Sequence, residues 1–158
     1  DLCAKLDTIE VDAARLQQYE LPEPVTMQVY QNAHIENAAT ITPLEVLGYD
    51  VYDFNYHFGD NWYSMQDGSY ISFVVEASNI GILYQRTVEG TFGQYDVYID
   101  DQYVKTLDGN YVEFYGTETE AEELFASPDG GKAYHVIKIV KNPTSFNTDF
   151  VIIGLLVS

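Results

Sequence analysis

Apolar and polar positions alternate along much of the chain beyond residue 70. Ile71, Phe73 and Val75 are interleaved with Ser72, Val74 and Glu76, the period of two that sends successive side chains to opposite faces of a strand. Residues 80–88 form a second apolar run after the short break Ala77-Ser78-Asn79, and the two runs are expected to be neighbours in one antiparallel sheet. Tyr95 to Ile99 and Tyr103 to Leu107 flank Asp100-Asp101-Gln102, the layout of a tight hairpin. Asp108-Gly109 marks the next turn, and residues 134–141 alternate again after the turn at 128–131. The final run, 150–157, is apolar on both faces, as a central strand is.

Two stretches depart from that period. Residues 1–19 read as helical, with Leu2, Leu6 and Ile9 at helical spacing and good helix formers behind Asp12. Pro22 and Pro24 then each remove a backbone donor, which places a boundary between a helical lead-in or linker, 1–24, and a domain, 25–158. Residues 118–126 are rich in Glu, Ala and Leu, with Thr117 and Thr119 as caps, and predict one short inserted helix. The expected fold is all-β: a two-sheet antiparallel β-sandwich of the jelly-roll kind with that lead-in and that insertion.

Composition supports a real core, since 46% of the 158 residues are hydrophobic and the fourteen Tyr and eight Phe favour strands. Charge narrows the partners. A formal net charge of -18 repels phosphate backbones and anionic headgroups, so neither nucleic acid nor a membrane surface is expected. Cys3 is the single cysteine, which leaves no internal disulfide and no zinc-ligand spacing. The apolar run 150–157 is far short of the ~20 residues that span a bilayer. Residues 1–10 carry no leader pattern, as in a chain that is cytoplasmic, processed or part of a longer polypeptide.

Several strand and turn motifs resemble a known family. Asn61-Trp62-Tyr63, Gly68-Ser69-Tyr70-Ile71-Ser72-Phe73, the run from Asn79 to Tyr84, Asp96-Val97-Tyr98-Ile99-Asp100-Asp101, and the run from Phe150 to Ser158 are similar to the C-terminal β-sandwich of bacterial SGNH/GDSL-type hydrolases. The wider group resembles galactose-binding-like carbohydrate modules. Asp101 stands where that hairpin usually carries Gly, a place that demands positive φ. The resemblance implies a non-catalytic accessory domain beside a covalently linked or adjacent catalytic domain, with residues 1–21 as connector. Plant or host polysaccharide is the partner expected, in an extracellular setting.

The residues themselves offer no complete catalytic set. An SGNH hydrolase needs a Ser in a Gly-Asp-Ser setting and a His preceded at three residues by Asp. Here Gly59-Asp60 is followed by Asn61, and His34, His57 and His135 are preceded by Gln31, Phe54 and Lys132. No cofactor is expected, although Asp50, Asp53 and Asp60, or Asp100 and Asp101, are hard-oxygen candidates for a structural calcium. For sugar recognition the candidates are Tyr56, Trp62 and Tyr63, with Tyr52 nearby, as stacking rings, and Asp60 and Asn61 as polar partners. Trp62 equally suits a core plug. Tyr84 and Arg86, two apart on one strand face, could supply a ring and a bidentate donor, or Arg86 could pair structurally with carboxylates. Three functions therefore compete: carbohydrate binding, structural packing on an esterase domain, and a self-contained carbohydrate-active enzyme.

Overall fold

The computed structural model describes residues 32–55, 58–112 and 116–158. The expected lead-in, together with Tyr56, His57, Phe114 and Tyr115, lies outside them. Eleven strands are present among the described residues and no helix. In chain order they are β1 (His34–Glu36), β2 (Glu45–Leu47), β3 (Tyr49–Asn55), β4 (Gly59–Ser64), β5 (Tyr70–Ala77), β6 (Asn79–Thr87), β7 (Gln94–Ile99), β8 (Gln102–Asp108), β9 (Thr117–Ala126), β10 (Ala133–Lys141) and β11 (Phe150–Val157). One sheet has the order β3-β4-β11-β6-β9, with β1 also on β11, and the other has β2-β5-β10-β7-β8. Every pair of named strands is antiparallel.

The sheets close on a core of large rings and branched side chains. Trp62 meets Phe73 edge-on at 4.8 Å and Tyr95 stacks on Phe150 at 4.3 Å, each pair joining one sheet to the other. As expected, β11 is central, and all its residues except Leu156 are buried. The β7–β8 hairpin also forms as expected. Asp100 and Asp101 take φ of 50° and 63°, the doubly positive turn whose twist suits a two-residue hairpin. Asp100 is held there by its side chain: Oδ1 accepts the Val136 N–H at 2.9 Å and Oδ2 lies 2.7 Å from His135 Nδ1. The His135 contact first, then the Val136 bond, keeps its carboxyl below the usual range.

Two expectations are corrected. The predicted helix at 118–126 is strand β9, paired with β6 from Asn79↔Ala126 to Thr87↔Thr117. Its carboxylates recur with period two, so Glu118, Glu120 and Glu122 share one face and meet Arg86, Tyr84 and Lys105; a helix would scatter them. Tertiary pairing thus overrides helix propensity, and the charges guard a sheet edge. The second correction concerns β5 and β6, which belong to opposite sheets. Ser78 alone links them, too little for a hairpin turn, and its N–H and hydroxyl both bond Ser158 O as the chain crosses the sandwich.

Candidate functional site on the five-stranded sheet

Among the described residues, those singled out for sugar stacking do not assemble into one surface. Alternation along β4 points Trp62 inward, 2% exposed against Phe73, while Asn61 and Tyr63 point outward. Trp62 is a core ring and presents no face to a ligand. Asn61 is buried and donates to Gly59 O at 2.9 Å, and Asp60 beside it is exposed. Tyr63 is half-buried with its hydroxyl on Asp149 at 3.2 Å; burial first, then the carboxylate, pushes its pKa up to about 12. Tyr52, opposite Asn61, is exposed.

Tyr84 and Arg86 do share a face, but it is the inner one. Tyr84 is 1% exposed, and its hydroxyl donates to Glu122 Oε1 at 2.6 Å; burial raises its pKa. Arg86 pairs with Glu120 at 3.1 Å and Glu118 at 3.4 Å, donates to Asn110 O at 3.1 Å, and lies over the Tyr111 ring at 5.3 Å. Glu122 also pairs with Lys105. Burial pushes the Glu122 carboxyl up, but the bonds from Lys105 and Tyr84 outweigh it and leave the pKa below its ordinary value. This network ties the edge strands β8 and β9 together and engages both residues.

The carboxylates proposed for calcium do not gather either. Among the described residues no three His, Cys, Asp or Glu side chains converge as metal ligands do. A buried cation is nevertheless present, supplied by the chain: Lys141, with its side chain 1% exposed, places Nζ 2.7 Å from Ser145 O, 3.2 Å from Asn142 O and 3.2 Å from Asp67 Oδ1. Its ammonium fixes the 142–149 loop from below.

Exposed rings occur instead on the outer face of the five-stranded sheet. Residues directly opposite in a ladder share a face, and the register sets Ser72, Lys138, Tyr98 and Tyr103 in one row across β5, β10, β7 and β8. Tyr103 is 57% exposed and meets Tyr98 edge-on at 5.8 Å, while Lys138 Nζ lies 5.0 Å from the centre of the Tyr70 ring. Polar groups border the rings. Tyr103 OH pairs with Thr106 Oγ1 at 2.9 Å, Thr106 donates to Asp96 at 2.6 Å, and Asn142 donates to both Asp96 oxygens. Tyr134, 72% exposed, and Val136 extend the same face along β10. The four strands lie about 4.8 Å apart, so the face measures about 14 Å across, the reach of a short oligosaccharide.

None of these five residues, Tyr70, Tyr98, Tyr103, Tyr134 and Lys138, was singled out from the sequence. A signal existed. Tyr70, Tyr98 and Tyr134 fall on the parity opposite to Ile71, Val97 and His135, so the alternation that identifies each strand also assigns them outward.

No protein-family model and no curated protein matches the chain. Solved structures do. A two-domain esterase active on acetylated mannans, co-crystallised with mannopentaose, superposes with a TM-score of 0.76 at 19% identity, over 89% of this chain and 40% of that one. A family two carbohydrate esterase from Cellvibrio japonicus gives 0.57 at 17%, over 79% of this chain and 33% of that one. The CBM36-1 domain of a multidomain xylanase from the hindgut metagenome of Trinervitermes trinervoides gives 0.53 at 10%, over 80% of this chain and 97% of that one. The chain therefore spans less than half the length of each esterase and nearly the whole of the xylanase module. At these identities the likeness is one of fold, an all-β sandwich shared with carbohydrate-binding modules and with part of carbohydrate esterases.

Proposed function

We propose that this domain is a non-catalytic module of a glycan-active enzyme and that it binds polysaccharide across the outer face of its five-stranded sheet. The observation that carries the reading is the row of exposed Tyr103 and half-buried Tyr98 and Lys138 on the outer face of the sheet, running inward from its edge strand β8. The apolar face of a pyranose stacks on such rings, and hydroxyls need the polar rim that Asp96, Thr106 and Asn142 supply. A jelly-roll, galactose-binding-like sandwich within a secreted esterase fits both the strand motifs and the fold likeness. Calorimetry of the domain against plant and host polysaccharides tests it: Tyr103→Ala should weaken binding about tenfold, as the loss of one aromatic contact implies. Its stability should stay within about 0.5 kcal/mol of wild type. Failure to bind any glycan in a broad panel would sink the reading.

A second reading, packing on an esterase domain, is favoured by the aliphatic residues Leu44, Leu47, Val74 and Val136, exposed between 40% and 59%. In that case removing the domain lowers the melting temperature of the intact enzyme, and the isolated domain binds no sugar.

A further inference from the structure

We infer that the glycan taken by this face carries a carboxylate, and that Lys138 selects for it; this rests on the reading of the face as a glycan platform. Lys138 is the anomaly. In a chain with 7 basic and 25 acidic residues, cations should find carboxylate partners, and Arg86, Lys105 and Lys141 do. Among the described residues Lys132 and Lys138 form no such ion pair; Lys132 is exposed, whereas Lys138 is half-buried and rests its ammonium over the Tyr70 ring on the outer face of the sheet. A cation over a half-exposed ring gains less than a carboxylate would offer in the same half-desolvated place.

The surroundings keep that position free. Directly opposite Lys138 stand Ser72 and Tyr98, and along its own strand stand Val136 and Val140. The carboxylates at diagonal positions, Asp96 and Asp100, are occupied by Thr106 and Asn142 in one case and by His135 and the Val136 N–H in the other. Glu45 and Glu76 lie farther out on the same face. Ser72 adds a second unused group: its hydroxyl is buried and has no hydrogen-bond partner. A sugar carboxylate arriving beside Tyr98 and Tyr103 would draw the ammonium off Tyr70, with the Ser72 hydroxyl directly opposite Lys138 in the ladder. Of the negative charges that oppose such a ligand, the near ones, Asp96 and Asp100, are already hydrogen-bonded by Thr106, Asn142, His135 and the Val136 N–H, and those beyond about 8 Å are screened at physiological ionic strength.

The test uses oligomers of galacturonate, glucuronate and mannuronate, each as the carboxylate and as its methyl ester, in which one methyl group replaces the negative charge. Wild type should prefer at least one acid over its ester by about tenfold, with the preference shrinking as salt rises. Lys138→Met should abolish the preference, and Tyr103→Ala should weaken acid and ester alike. Equal affinity for acid and ester, or a preference that survives in Lys138→Met, would overturn the inference and leave the platform intact. If neither form of any oligomer binds while neutral glycans do, the inference again fails alone. If nothing binds at all, the platform falls with it.

Discussion

The two sheets carry similar outward-facing residues to opposite fates. On the six-stranded sheet Val151 and Ile153 are 0% exposed, and with Leu83 and Phe92 they form a second apolar cluster beneath Ile35, Phe58, Tyr63 and Leu156. On the five-stranded sheet Val74, Val136, Tyr103 and Tyr134 stand at comparable strand positions and remain between 40% and 72% exposed. Burying one such side chain stabilises a fold by about 1.5–3 kcal/mol, so a bare face forfeits stability that the covered face has gained. The covered face is in large part a core in its own right, and what stays open on it is a pocket of about 210 Å³ lined by Gly81, Ala121, Glu123 and Leu156. The bare one is the surface on which recognition can act.

The largest effects should fall on the interior and on the covered face. Trp62→Ala should cost about 3–5 kcal/mol and Ile153→Ala about 2–5 kcal/mol in urea unfolding, because each leaves a cavity among fully packed neighbours. Val136→Ala should change stability by no more than about 0.5 kcal/mol. Comparable losses at Ile153 and Val136 would mean that both outer faces are buried, and the contrast would disappear.

That contrast was only partly legible in the sequence. Alternation revealed β5 and β7, each with one strictly apolar parity, and β11 with two, while β8 and β10, interrupted by Lys105 and by His135 and Lys141, were bounded by their turns. It did not reveal β9, whose Glu, Thr and Ala content suits a helix until Glu118, Glu120 and Glu122 are seen to answer Arg86, Tyr84 and Lys105 on other strands. Those partners are distant in the chain, and local propensity cannot register them. The face proposed here was overlooked for a related reason. Clustering along the chain drew attention to Asp60, Asn61, Trp62 and Tyr63, yet neighbours on a strand face opposite ways. Tyr98 and Tyr103 meet Lys138 and Tyr70 only through the register of four strands.

A middle-sized effect separates support from recognition at the sandwich edge. Arg86→Met removes the cation shared by Glu118 and Glu120 and leaves the β9 carboxylates to repel one another. With the Arg86 side chain 24% exposed, the loss should be about 1–2 kcal/mol, between the values for surface and buried pairs. Glycan affinity, measured at a temperature where the variant is fully folded, should not change. A selective loss of affinity would return Arg86 to the site and draw recognition away from the bare face.

The smallest effect concerns the hairpin that closes the bare sheet at β7 and β8. Asp100 is held below its ordinary carboxyl pKa by His135 and then by the Val136 N–H. A carboxyl depressed in the folded state stabilises that state fully above its unfolded value of about 3.9 and loses the contribution as pH falls through the lower folded value. Wild type should therefore lose stability relative to Asp100→Asn as pH falls below about 4. The side chain is 50% exposed, so solvent screening keeps the difference small. Urea midpoints of both proteins at matched pH values measure it. A gap that persists unchanged into strong acid would show that the turn is held by its backbone geometry at Asp100 and Asp101, with the carboxylate contributing nothing to the sheet that presents the tyrosines.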